Sequence, residues 1–170
     1  MDQNEKRFFE ILDELNIREY EVHEHVALFS AKQEEAQDCM FPGLNVKNLL
    51  MKDKKTGRYY MIILDDMRRM EAKHFKEVTG WTKTRFANEE EMWDLLKLKP
   101  GSVTPYALFN DVDKQITVVL GNEIVTAGED TNINFHPCRN TATISIRKKD
   151  VMRILEYMGN KIILEEETEE

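Results

Sequence analysis

Few side chains in this 170-residue chain are equipped for chemistry. Lys47 and Asn48 interrupt an apolar run that follows the Pro42-Gly43 turn signal. Val46, Leu49, Leu50 and Met51 give that run the character of a buried strand. A lysine at the mouth of such a strand keeps its stem in the apolar wall and its ammonium facing a cavity or solvent. It is then either a group that meets a phosphate or carbonyl oxygen, or a strand-edge charge in water. His136 precedes Pro137 in a polar loop, and the proline forces it towards an extended backbone. It is either a turn histidine bonded to the backbone or a side chain offering a hydrogen bond or a proton at a pocket mouth. Gly101 and Ser102 lie in the most loop-like stretch, residues 99–105, where two prolines fix the backbone and amide groups could face a ligand.

Other chemistries find little support. No GxSxG is present, and Cys39 and Cys138 carry no recognisable nucleophile signature. His23, His25, His136 and Cys138 do not match the spacings of structural zinc sites, so no metal and no cofactor is expected. His74, on a charged helix, reads as solvated. Glycine-rich nucleotide motifs are absent.

The elements that must position these groups alternate irregularly between helix and strand, unlike a doubly wound βαβ sheet. Helices are expected at 2–15, from Ser30 through a capping box to about Cys39, at 71–79 closed by Gly80, at 89–97 capped by Asn88 with Glu91, and at 149–158 ended by Gly159. Strands are expected at 19–23, from Val46 to about Lys52, at 58–64, 84–87, 106–109, 115–120, 131–135, 141–146 and 161–164. A single domain over 1–164 follows, with an acidic tail at 165–170 expected to be disordered.

Hydrophobic residues make up 41% of the chain, enough for a core. No apolar run reaches membrane-span length, and no secretory signal is evident, so a cytoplasmic protein is the default. Two cysteines are too few for a disulfide scaffold. The net charge is −8, and five of those charges lie in the C-terminal glutamate run, which leaves −3 for the rest. That balance does not exclude a nucleic-acid partner and does not suggest sequence-independent DNA binding.

Taken together, the motifs resemble the free-standing aminoacyl-tRNA deacylases related to the editing domain of bacterial prolyl-tRNA synthetase, the YbaK-type family. The matching pieces are Phe29-Ser30 opening a helix, Lys47-Asn48-Leu49, Arg85-Phe86-Ala87, Pro100-Gly101-Ser102-Val103-Thr104-Pro105, His136-Pro137 and Asn140-Thr141-Ala142-Thr143. They occur in the family's order across residues 20–160. The resemblance implies an α+β fold: a mixed, largely antiparallel, barrel-like sheet surrounded by helices. It also implies hydrolysis of a wrong amino acid from the acceptor end of tRNA, Ala-tRNA(Pro) above all, with prolyl-tRNA synthetase as an associated partner. Cys-tRNA(Pro), another small-amino-acid ester, or a non-catalytic tRNA- or synthetase-binding module of the same fold are the alternatives. On this resemblance Lys47, Gly101, Ser102 and His136 would form the catalytic set, with Gly101 and Ser102 amides as an oxyanion site. Phe29, Ser30, Asn48, Phe135 and Pro100 would bind substrate. Ser30 stands where many relatives have threonine, which bears on pocket size. The attacking group would be water or the adjacent ribose hydroxyl rather than a protein side chain.

Overall fold

Each element can be traced to a local signal. The computed structural model describes residues 1–27 and 41–166. Phe29, Ser30, Cys39 and the helix expected from Ser30 lie outside the described residues. Helix α1 (Gln3–Glu14) starts where the Asp2 carboxylate accepts from the Glu5 N–H at 2.8 Å, and it buries Phe8, Ile11 and Leu12 on one face. Strand β1 (Tyr20–Glu24) follows, then the hairpin of β2 (Leu44–Asp53) and β3 (Tyr59–Asp65). Asp53 organises the hairpin and its surroundings by accepting from the N–H groups of Lys55 and Thr82 and from the Thr82 hydroxyl. Helix α2 (Ala72–Thr79) stops at Gly80, whose φ of 78° is the left-handed closure that favours glycine. Strand β4 (Thr84–Phe86) leads to α3 (Glu89–Leu96), opened by the expected capping box of Asn88 and Glu91. Then come β5 (Ile116–Leu120), the short α4 (Asn122–Val125), β6 (Asn132–Phe135), β7 (Ala142–Arg147), α5 (Lys148–Met158) and β8 (Ile162–Leu164).

One expected strand is a helix. Residues 106–109 lie in a 3-10 helix, Pro105–Asn110, not a strand. Pro105 supplies a helical φ at the first turn, and the Thr104 hydroxyl accepts from the Tyr106 N–H. Tyr106, Ala107 and Leu108 are all buried, where a half-buried strand would alternate.

The sheet runs β1-β7-β6-β2-β3-β5-β8, with β4 also on β2. It is mixed: β1/β7, β6/β7, β2/β3 and β2/β4 are antiparallel, whereas β2/β6, β3/β5 and β5/β8 are parallel. Strand β2 is the branch point. Its first residues, Leu44 and Asn45, pair with β6, and its last, Met51 to Asp53, pair with β4 along the same edge.

The main core lies on one face of the sheet, where Leu50, Met61, Ile63, Val118, Ile133, Phe135, Ile144 and Ile146 meet α1, α3, α5 and the 3-10 helix. A smaller cluster on the other face packs Met51, Tyr60, Ile62, Leu64 and Val119 under Phe75 of α2 and Trp81. Among the described residues, that second face is covered over β3, β5 and the end of β2. Over β1, β7, β6 and the start of β2 it is polar.

The C-terminal acidic run begins inside the fold. Glu165 was expected in the tail, yet it is only 3% exposed. Its carboxylate takes both Arg68 Nη groups at 2.6 and 2.7 Å, the Asn122 N–H at 2.8 Å and His74 Nε2 at 2.5 Å. The reason is local: β8 pairs with β5 as far as Leu164, which delivers the next carboxylate to these donors. His74, expected to be solvated, is therefore a hydrogen-bond partner of a buried carboxylate. Among the described residues no helix is long and apolar enough to cross a membrane.

Candidate active site

The polar face is assembled by strand alternation. Successive side chains of a strand point to opposite faces. In β2 this puts Asn45 and Lys47 on the polar face, and Val46, Asn48 and Leu50 towards the main core. In β6, Asn134 faces the polar side while Ile133 and Phe135 enter the core. In β7, Thr143 and Ser145 take the polar side while Ile144 and Ile146 enter the core. Hydrogen bonds agree with this division. Asn134 Nδ2 donates to Asn45 Oδ1 at 3.1 Å, and Ser145 Oγ donates to Asn134 Oδ1 at 2.5 Å.

Asn134 is buried and holds more than its neighbours. Its amide also donates to the carbonyls of Phe41 and Pro42, and Asn45 Nδ2 donates to the Phe41 carbonyl at 2.9 Å. The His23 ring stacks on Phe41 at 3.9 Å between centroids. These contacts fix the chain at the point where it enters β2. Gly43, with φ of 107°, follows directly, and a Cβ there would sit 2.2 Å from the Asn132 carbonyl oxygen. Only glycine fits so close an approach of two strands.

Lys47 is half-buried opposite Leu64 of β3. Among the described residues it forms no ion pair, but its charge acts on Asp66, just beyond β3. Burial raises the Asp66 carboxyl above the usual range, and the Lys47 ammonium opposes that rise. Among the described residues Lys47 is thus a cation with unspent hydrogen-bonding capacity at the rim of a polar surface.

His136 lies just past β6, on the same face as Asn134. Its Nδ1 is 2.8 Å from the Ala142 carbonyl oxygen. A carbonyl can only accept, so Nδ1 carries the proton and Nε2 carries the lone pair of the neutral ring. Burial, together with the nearby His25, pushes the imidazole pKa down, with the Ala142 bond opposing it. The ring is therefore held neutral. The loop after it is clamped by Arg139, which donates to Glu5 at 2.6 Å and to Glu24 at 2.7 and 2.5 Å.

The remaining expected site residues divide. Asn48 faces away from Lys47, and its Nδ2 donates to the Val103 carbonyl at 3.1 Å. It tethers the 99–105 loop to β2 rather than standing beside Lys47. Phe135 is a core residue, 3% exposed and 4.9 Å from the Tyr106 ring, because it alternates with Asn134 and His136. It does not line the polar face. Gly101 has φ of 86°, and the Ser102 N–H donates to the Lys99 carbonyl at 3.1 Å. The tight turn thus consumes the Ser102 amide that was expected to serve an oxyanion. Pro100 is exposed.

Sequence reasoning missed Asn45, Asn134, Thr143, Ser145 and the placement of His25. The signal was the two-residue period: Asn45/Lys47, Asn134/His136 and Thr143/Ser145 are each spaced to share a face.

The arrangement offers a cation, neutral acceptors and a polar surface, without an activated nucleophile among the described residues. The Cys138 thiol is buried, and burial drives its pKa far up. Among the described residues no group of three or more His, Cys, Asp or Glu is arranged to hold a metal ion. A cleft of about 580 Å³ lies elsewhere, lined by Arg68, Arg69, Glu71, His74, Glu123 and Glu165 among others. Arg68, His74, Glu123 and Glu165 are spent on one another, and neither Lys47 nor His136 lines it. The polar face is the better candidate site.

Comparison with known proteins identifies the family. Residues 23–154 match the aminoacyl-tRNA editing domain family. A prolyl-tRNA editing protein ProX from Acetoanaerobium sticklandii is 30% identical over 149 residues, covering 88% of each chain. A prolyl-tRNA synthetase associated domain-containing protein 1 from Danio rerio is 34% identical over 151 residues, covering 89% of this chain and 80% of the relative. A solved structure of a candidate trans-editing enzyme for prolyl tRNA synthetase superposes with a TM-score of 0.67 at 17% identity, over 99% of both chains, and so shares the fold. The chain belongs to the aminoacyl-tRNA editing domain family, and it is an aminoacyl-tRNA deacylase.

Proposed function

We propose that the chain clears mischarged proline tRNA, with Ala-tRNA(Pro) as its substrate, acting on products of prolyl-tRNA synthetase. The names of the relatives support the proline system. The observation that carries the chemistry is Lys47, a cation with no ion-pair partner among the described residues, on the same sheet face as the lone-pair nitrogen of His136.

The substrate is an ester between the amino-acid carbonyl and the terminal ribose of tRNA. Water attacks the carbonyl carbon, either of the original ester or of the ester formed once the acyl group has passed to the adjacent ribose hydroxyl. The tetrahedral intermediate collapses with rupture of the bond to the ribose oxygen, which takes up a proton. The ester is already activated, so no protein nucleophile is required. Lys47 stabilises negative charge on the carbonyl oxygen or holds the terminal phosphate. The buried Cys138 thiol takes no part.

Selectivity explains why such an enzyme exists. A synthetase pocket shaped for proline cannot strongly reject a smaller amino acid, because a missing methylene contributes only about 1–3 kcal/mol. A second, smaller site that excludes proline supplies the rest.

A deacylation panel of alanyl-, cysteinyl-, seryl- and prolyl-tRNA(Pro) tests the reading. Alanyl-tRNA should be hydrolysed fastest and prolyl-tRNA spared. Preference for the cysteinyl ester would reassign the substrate, and binding without turnover would turn the chain into a recognition module.

A further inference from the structure

One charged group on the polar face takes no part in the reaction as described. The β2/β3 ladder continues one pair beyond Val46 and Asp65, since the Asp66 N–H donates to the Asn45 carbonyl at 2.8 Å. Residues directly opposite one another in a ladder share a face, so Asp66 stands with Asn45 on the polar side. Lys47, opposite Leu64, is its diagonal neighbour on that face, a separation of about 7–8 Å that long side chains bridge. Both residues are half-buried, and the charge of Lys47 acts on Asp66. Among the described residues neither forms an ion pair, and the Asp66 carboxylate accepts no hydrogen bond. The groups around it are committed. Asn45 is held by Phe41 and Asn134, and Asp65 Oδ1 accepts from the Met67 N–H at 2.9 Å.

Hydrolysis makes two demands at one carbon. Negative charge grows on the carbonyl oxygen, and the attacking water must lose a proton. A cation and a carboxylate that share a face without neutralising each other meet these demands separately. His136 Nε2 is another base on this face. Strands β6 and β3 run on opposite sides of β2, their axes about 10 Å apart, so the two bases flank Lys47. They differ in what a proton does to each. On His136 it would create a partly buried cation beside His25, whereas on Asp66 it removes a half-buried charge that also faces Asp65. Burial therefore works against the imidazole as a base and in favour of the carboxylate.

We propose that Asp66 is a catalytic residue, the general base that takes a proton from the attacking water while Lys47 faces the carbonyl oxygen. This rests on the deacylase reading and on the role given there to Lys47. As the water oxygen bonds to the carbonyl carbon, its proton passes to the Asp66 carboxylate. As the bond to the ribose oxygen breaks, that oxygen takes the proton from Asp66, and the carboxylate is restored. The amino acid leaves as its acid and ionises in water, so no further reactant is needed.

A pH–rate profile with alanyl-tRNA tests the assignment. In the wild type kcat should fall on acidification with the slope of a single proton, at an inflection above the ordinary aspartate range near about 4 and below that of histidine near about 6.5. Asp66→Asn, which keeps the shape, should lower kcat roughly 100-fold or more, leave KM within about twofold and abolish the acid limb. Added formate should accelerate Asp66→Ala in proportion to its concentration, and His136→Asn should keep the limb. A limb that vanishes with His136→Asn and persists in Asp66→Asn gives the base to His136 and overturns the proposal. An Asp66→Asn protein with wild-type kcat overturns it too, as does one that loses kcat but keeps the limb while formate leaves Asp66→Ala unchanged, which is the pattern of a merely structural residue. Should Asp66→Asn not fold, the inflection of the wild type and its survival in His136→Asn decide between the two bases. A wild type that hydrolyses no alanyl-tRNA at any pH overturns the deacylase reading itself. Loss of turnover in Asp66→Asn beside an unchanged rate in Lys47→Ala overturns the role of Lys47 and leaves the base standing.

Discussion

In the proposed site, Lys47 and His136 would act through what their neighbours leave unspent. Lys47→Ala removes the cation while keeping the strand, so hydrolysis should fall by roughly 100-fold, as for loss of a charge-stabilising group. The melting temperature should stay within a few degrees, because a half-exposed lysine without an ion-pair partner among the described residues contributes little stability. Steady-state rates and a melting curve on the same preparation check both. His136 gives a pH signature. Its pKa is lower in the folded protein than in the unfolded chain, so on acidification the unfolded chain takes up that proton first. Stability from this residue is therefore complete at neutral pH and declines as pH falls through the ordinary histidine range. The stability gap between wild type and His136→Asn should shrink between about pH 7.5 and 5.5. A gap that widens on acidification would mean that the ring is charged in the fold. Residue type left Lys47 and His136 open between a chemical role and an ordinary one, and only the ordered motifs around them made them site candidates. Asn45 and Asn134 were illegible singly, because an asparagine reads as turn-forming until a partner strand brings a second amide to it.

Strands and turns set which of these groups meet. Gly43→Ala forces a Cβ against the Asn132 carbonyl in a backbone conformation that L side chains rarely adopt. It should destabilise the fold by about 2–3 kcal/mol and lower activity further, since the start of β2 must shift away from β6. Chemical denaturation and the deacylation rate measure the two effects. Most elements were readable because their caps and periods are strong: the Asn88/Glu91 box, Gly80 and Gly159 all end or begin helices as expected. The 3-10 helix was missed because three successive apolar residues carry no period. Phe135 and Asn48 were misplaced for one reason: both neighbour a proposed site residue in sequence, and in a strand the neighbour is the residue on the other face.

At the scale of the molecule, the two faces of the sheet are finished differently. One is sealed by the main core, and the other is sealed at one end by α2 and polar at the other end. Glu165, just past β8, ties down the sealed end. Glu165 is held down to a pKa of about 2 by Arg68, the Asn122 N–H and His74, against the cost of burial. A carboxyl lowered in this way stabilises the fold above its ordinary range near 4.5, and that contribution is lost as pH falls towards 2. Glu165→Gln leaves Arg68 without its bidentate partner and should cost about 3 kcal/mol, or roughly 6–12 °C of melting temperature at neutral pH. The deficit should narrow in acid, which a melting series from pH 7 to pH 3 records. Its location was hidden because a glutamate run at a terminus has the composition of solvent-exposed chain, and only the β5 pairing of β8 reveals that the first of them is inside.

The branching of β2 bears on where this chain tolerates changes in length. The turn between β2 and β3, at Lys54 to Thr56, is exposed and can lengthen freely. One residue added between Gly43 and Lys47 would exchange the two faces of the strand. The ammonium would turn inward to the apolar core and the amide that tethers the 99–105 loop would turn out, while the composition of the chain stayed almost unchanged. Insertion scanning should therefore find a forbidden window of about four positions beside a permissive loop, a boundary set by parity rather than by side-chain chemistry.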